Sequence, residues 1–118
     1  MLDFTHQLID DSVVISLIGS LLNEMPKQAV LDVVQKYLEQ GKSLFIINCG
    51  QLSAINSMGL TLLLNILTKV RNEDGEVILT NIPLPLKKVL IITKLNEIFD
   101  IQENIENALA KYSLPINN

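Results

Sequence analysis

The chain has 118 residues, enough for one compact domain, and its 48% hydrophobic content can build a core and argues against disorder. Aromatic residues make up 4% and tryptophan is absent, which speaks against base-stacking platforms and aromatic sugar-binding surfaces. A formal net charge of −4 and a pI near 4.8 leave no electrostatic footprint for nucleic acid.

DFTHQLI (3–9) and SVVISLIG (12–19) flank the turn pair Asp10-Asp11 and read as two strands of a tight hairpin, the second rich in β-branched residues. SLLNEMPKQ then breaks the pattern. Pro26 suits the first turn of a helix in which Ala29, Val30, Val33, Val34, Tyr37 and Leu38 recur at helical spacing, with Gly41 as its C-terminal stop. SLFIINC (43–49) is a continuous apolar run of strand length, which predicts a strand covered on both faces. AINSMGL (54–60) separates it from a helix running to about Asn72. Asp74-Gly75 is a turn, and EVILTN (76–81) is a further buried strand. Pro83 and Pro85 introduce a short helix over about 85–93, EIFDI (97–101) is expected to be a last short strand, and ENIENALAKYSL is an amphipathic helix.

The order ββαβαβαβα predicts an α/β fold with a mixed sheet and a mainly parallel centre. One domain is expected over residues 1–118, with 114–118 loose. MLDFTHQLIDD carries acids and no basic n-region, so it does not read as a secretory signal. The longest apolar run, MGLTLLLNILTKV, is interrupted by Thr61, Asn65 and Thr68 and falls short of the roughly 20 residues a bilayer span needs. With one cysteine and hence no internal disulfide, the expectation is a cytoplasmic domain without membrane insertion.

Little in the sequence suggests catalysis. His6 is the one histidine, reads as a strand residue, and has no partner or cleft suggested around it. Cys49 ends a buried strand and reads as a core residue rather than a nucleophile. One Cys and one His argue against zinc, and no GxxxxGK[ST] loop is present, so neither an enzyme nor a cofactor is expected.

AINSMGL stands out. Asn56 and Ser57 both suit a helix N-cap, where either can satisfy a free amide of the first turn. The same geometry would present a serine to a protein partner. A phosphate there would meet free N–H groups and the positive end of the helix dipole, adding roughly 1.5 to 2 negative charges. Position alone leaves both readings open.

Ile55-Asn56-Ser57-Met58-Gly59-Leu60 at a strand-to-helix junction, the Asp74-Gly75 turn, Leu95 through Phe99 and the closing Glu106-Asn107-Ala108 helix come in an order that resembles the bacterial STAS-domain anti-sigma factor antagonists (anti-anti-sigma factors). The resemblance covers almost the whole chain. It implies a mixed four- to five-stranded sheet with about four helices packed mostly on one face. It also implies a partner switch: the domain binds an anti-sigma factor that is a serine kinase, and phosphorylation, here at Ser57, separates the two. ATP belongs to that partner.

The implied docking surface comprises Gly19, Ser20, Leu22 and Asn23 beside Asn56, Ser57, Met58 and Thr61, with Thr61 as a fallback acceptor. Two positions depart from the family pattern: Asn56 stands where aspartate is usual, and Gly19-Ser20-Leu21-Leu22 replaces G-x-[LI]-D. These departures keep an alternative in view, a STAS module that binds without a phospho-switch, as a signalling scaffold or the small subunit of a lipid-transport complex. An apolar helix face can serve a core or a homodimer, and the sequence leaves both open.

Overall fold

A computed structural model of the chain describes residues 2–21, 27–55 and 57–113, with side chains over 3–19, 27–53 and 59–111. The expected Pro26 helix start, the loose 114–118 tail, and Leu22, Asn23 and Asn56 lie outside the described residues.

The hairpin forms as the sequence suggests. Strands β1 (Leu2–Ile9) and β2 (Ser12–Leu21) pair antiparallel from Ile9↔Ser12 to Leu2↔Gly19. Asp10 and Asp11 take φ of 49° and 74°, the positive values that a two-residue type I′ turn requires and that Asp tolerates better than most residues. Helix α1 (Lys27–Glu39) ends in a Schellman turn. There Gly41 N–H donates to Leu38 O and Lys42 N–H to Tyr37 O, with Gly41 at φ 83°.

Strand β3 (Leu44–Ile55), helix α2 (Ser57–Arg71), strand β4 (Glu76–Thr80), helix α3 (Leu84–Ile92), strand β5 (Asp100–Gln102) and helix α4 (Ile105–Ser113) follow. The sheet order is β1-β2-β3-β4-β5, with β2 through β5 parallel and β1 an antiparallel edge.

Two expectations need correction. The strand placed at 97–101 begins at Asp100, because Leu95–Glu97 form a 3-10 turn entered through Lys94 at φ 62°, and Phe99 N–H bonds back to Leu95 O. The strand placed at 43–49 continues to Ile55. Its pairing to β2 slips twice, between Ser16 and Ile18 and between Gly19 and Ser20, each time with one extra residue on β3. These bulges break the inside–outside alternation from which a strand is read, so QLSAI does not look like one.

Parallel strands buried on both faces explain the continuous FII and VIL runs. On one face Val13, Ile15, Phe45, Ile47, Val77 and Leu79 meet helices α1, α2 and α3 through residues such as Val30, Ile66 and Leu90. On the other, Val14, Ile46 and Ile78 form a smaller cluster under α4 through Ala108, Ile105 and Leu109. Three of the four helices therefore lie on one face.

Candidate partner-docking surface

The register of β2 and β3 builds the site. Gly19 pairs with Leu52, Ser20 with Ala54 and Leu21 with Ile55, so the end of β2 runs beside the last residues of β3 just before the chain turns into α2 at Ser57. Gly19, adjacent to the second slip, has φ 99°, a conformation that favours glycine over any residue with a Cβ. Gly19 and Ser20 are thereby brought next to the strand that leads to Ser57. Leu22 and Asn23 on one side, and Asn56 on the other, fall outside the described residues.

Helix α2 places its residues by its own periodicity. Gly59, Leu62, Leu63, Ile66, Leu67 and Val70 are buried, whereas Thr61 and Thr68, seven residues apart, mark the exposed side. Ser57 precedes Thr61 by four residues, one turn earlier on the same line of the backbone. The first turn carries no acid, and Lys69 and Arg71 occupy the last, so charge complements the dipole at one end and leaves the positive end unneutralised by side chains of that turn. An anion placed at residue 57 would face that end.

Beneath the site lies a polar layer that the sequence reading passed over. Ser16, Asn48, Thr80 and Gln102 are successive register partners across four parallel strands and share the α4-side face. Asn48 joins three parts of it: its Nδ2 donates to Ser16 Oγ at 3.2 Å, and its Oδ1 accepts from Gly50 N–H and from Asn81 Nδ2, each at 3.0 Å. Thr80, fully buried, donates its hydroxyl to Ile47 O. Asn81, at φ 53°, also donates its N–H to Glu103 O. The β3 bulge, the turn before α3 and the turn before α4 are thus cross-linked. The signal was present as an asparagine closing the apolar run FII, followed two residues later by glycine.

His6 and Cys49 contrast. His6 is an exposed strand residue but, against expectation, does have a partner: its Nδ1 lies 2.8 Å from the Tyr37 hydroxyl, and the rings meet edge-on. A shallow hollow of about 180 Å³ there is lined by His6, Val33, Lys36, Tyr37 and Gln40. The contact spans 31 residues of sequence and fastens edge strand β1 to α1, which is why spacing along the chain did not show it. Cys49 is buried, and desolvation pushes its thiol up to about 12, the opposite of an activated nucleophile.

Comparison with known proteins is consistent with this geometry. A family model described as the STAS domain matches residues 4–108. Among curated proteins, none matches the chain. Among solved structures, TM1081 of Thermotoga maritima superposes with a TM-score of 0.79 at 21% identity, covering 94% of this chain and 95% of that one. An anti-sigma factor antagonist from Mycobacterium paratuberculosis gives 0.80 at 16% identity, covering 97% and 96%. The Bacillus protein SpoIIAA in its phosphorylated form gives 0.73 at 23% identity, covering 92% and 98%. These likenesses establish the fold. No described helix is long and apolar enough to cross a membrane.

Proposed function

The chain belongs to the STAS domain family, and from that premise we propose that it is an anti-sigma factor antagonist that docks on an anti-sigma factor of the serine-kinase type through the start of α2 and the adjoining end of β2. The observation that carries this reading is the register Ser20↔Ala54 and Leu21↔Ile55, which lays the β2 end against the entry to α2, with Ser57 as the first helical residue. Solved relatives of the same fold include SpoIIAA, named as an anti-sigma factor antagonist and known in unphosphorylated and phosphorylated forms.

In this reading, the domain binds its partner with Ser57 unmodified. The partner transfers the γ-phosphoryl group of its ATP to the Ser57 hydroxyl, ADP leaves, and the serine proton passes to a base on the partner. The phosphate adds roughly 1.5 to 2 negative charges at the contact surface. The free N–H groups and dipole of α2 stabilise it within the domain. The docked interface then pays for desolvating a dianion, and the complex separates.

A second reading keeps the same surface but removes the switch. It is favoured by the first turn of α2, which has no acid, and by Asn56 and Leu22 in place of the two carboxylates of the family pattern. In this version the domain is a constitutive binding module, such as a signalling scaffold or a small subunit of a lipid-transport complex.

Peptide mass spectrometry of the protein purified from its native host, in growth and under stress, separates the two. A phosphate on the peptide containing Ser57 supports the switch. Its absence in both states removes the switch and leaves the constitutive module.

A further inference from the structure

Of the five large hydrophobic side chains exposed among the described residues, four fall between residues 84 and 98: Leu84 at 61%, Ile91 at 57%, Ile92 at 80%, and Ile98. Three of them belong to α3, whose opposite side sends Leu86 and Leu90 into the core. At about 100° per residue, Leu84 and Ile91 stand on one line of the helix two turns apart. Lys87 and Lys88, both exposed, flank that line on either side, and Ile92 lies just beyond Lys88. The outward face is therefore an apolar seam edged by cations.

Its charge runs against the rest of the molecule. The chain carries 13 acidic and 9 basic residues, yet from Val77 to Asn96 there is no acid and there are three lysines, Lys87, Lys88 and Lys94. None of the three is in an ion pair among the described residues. Glu103 borders the same hollow as Lys87 without pairing to it.

Three occupants can be weighed for such a face. A second copy docked α3 to α3 about a two-fold axis would bring lysines against lysines, which disfavours it. An anionic bilayer is recognised by clusters of roughly four to eight cations, whereas this stretch offers three lysines, two of them on the seam. A helix with an apolar stripe flanked by carboxylates complements both the seam and its edges.

We propose that the outward face of α3 is a second docking surface, one that receives an acidic amphipathic helix of a partner protein. The partner's aliphatic side chains pack along Leu84, Ile91 and Ile92, and its carboxylates meet Lys87 and Lys88. This surface does not involve Ser57, so it stands whether or not that serine is phosphorylated.

The test is an NMR titration of the full chain with a synthetic helical peptide of about four turns, carrying a leucine stripe flanked by glutamates. A second peptide has lysine in place of each glutamate. The acidic peptide is expected to shift amides of α3 and to bind at least about tenfold more tightly than the basic one. Lys87→Glu with Lys88→Glu should reverse that preference, and Ile91→Asp should weaken binding of the acidic peptide by about tenfold or more. All three residues are exposed, and a thermal melt confirms that the variants fold. Equal affinity for both peptides overturns the proposal, as do shifts confined to other elements. Binding of phosphatidylglycerol vesicles in preference to the acidic peptide assigns the face to a membrane and overturns it. Concentration-dependent dimerisation that protects α3 assigns it to a second copy and equally overturns it.

Discussion

The side-chain amide of Asn81 donates to Asn48 Oδ1 at 3.0 Å, joining the bulged part of β3 to the turn from which α3 starts. The same oxygen accepts from Gly50 N–H, which fixes the orientation of the Asn48 amide and directs its NH2 to Ser16. One half-buried side chain therefore sets how β3 continues beyond Cys49 toward Ser57.

Replacing Asn48 with leucine should leave the Gly50 N–H, the Ser16 hydroxyl and the Asn81 amide short of a partner. Gly50 is exposed and the Ser16 and Asn81 side chains are half-buried, so water replaces part of what is lost and we expect a destabilisation of about 1 kcal/mol in urea unfolding. Hydrogen exchange at Gly50 and Gln51 should accelerate more than at Ile46 and Ile47. An unchanged midpoint with unchanged exchange would show that the bulge holds its shape without Asn48.

Gly75 tests a different constraint, close approach of backbone. After α2, Asp74 takes φ 62° and donates its N–H to Arg71 O, while Gly75 N–H reaches back to Val70 O, a Schellman ending with Asp74 in the place glycine usually holds. A Cβ on Gly75 would lie 2.4 Å from Ser43 O and 2.7 Å from a Val70 methyl, so the turn would have to move. Gly75→Ala should destabilise by about 1–3 kcal/mol, as overpacking does. Gly41→Ala, with open space around its Cβ but φ 83°, should cost about 1–2 kcal/mol through conformation alone. Equal and negligible shifts in thermal midpoint would contradict both arguments.

The element order and the mixed sheet were legible because the apolar runs of β3 and β4 are buried on both faces, and because Asp10-Asp11, Gly41 and Asp74-Gly75 mark turns by chemistry. What escaped was written in contacts between distant residues. The extension of β3 to Ile55 depends on slips against β2, and the 3-10 turn before β5 depends on Lys94 adopting a left-handed conformation. His6 meets Tyr37 across 31 residues, and Asn48 meets Asn81 across 33. The proposed docking surface was legible as a junction, Ile55 to Leu60, with Gly19 and Ser20 added by the resemblance; what the sequence did not show is the parallel register, Gly19↔Leu52 and Ser20↔Ala54, that lays those two residues along the end of β3.

Acid stability should carry a signature of the hairpin. Asp11 Oδ1 lies 2.6 Å from Lys42 Nζ, and the hydrogen bond and charge of Lys42 hold the Asp11 carboxyl below its ordinary value of 3.8. A carboxyl depressed in the folded state contributes stability that is present above its unfolded pKa and lost as pH falls through the folded one. Asp11→Asn keeps a residue that tolerates the positive φ and removes the charge. The stability difference between the two proteins should be constant from neutral pH to about pH 5 and vanish as pH drops further. Because Asp11 is exposed, added salt should shrink it. A difference that persists undiminished at low pH would mean that the substitution acts through the turn rather than the ion pair.

Cys49 should be chemically silent until the fold opens. Its side chain has no exposure, and burial raises its thiol to about 12, so at pH 8 very little thiolate exists in the native state and none of it faces solvent. Reaction with an aromatic disulfide reagent should proceed at the rate at which the domain unfolds, rise with urea in step with that rate, and become independent of reagent concentration when reagent is in excess. Cys49→Ala should fold and destabilise modestly. Cys49→Ser places a hydroxyl among Ile47, Leu52 and the helices of the main core cluster and should cost more, about 1–3 kcal/mol. Fast, second-order labelling of the native protein would overturn this account, because it would require an open path to the sulfur through the core.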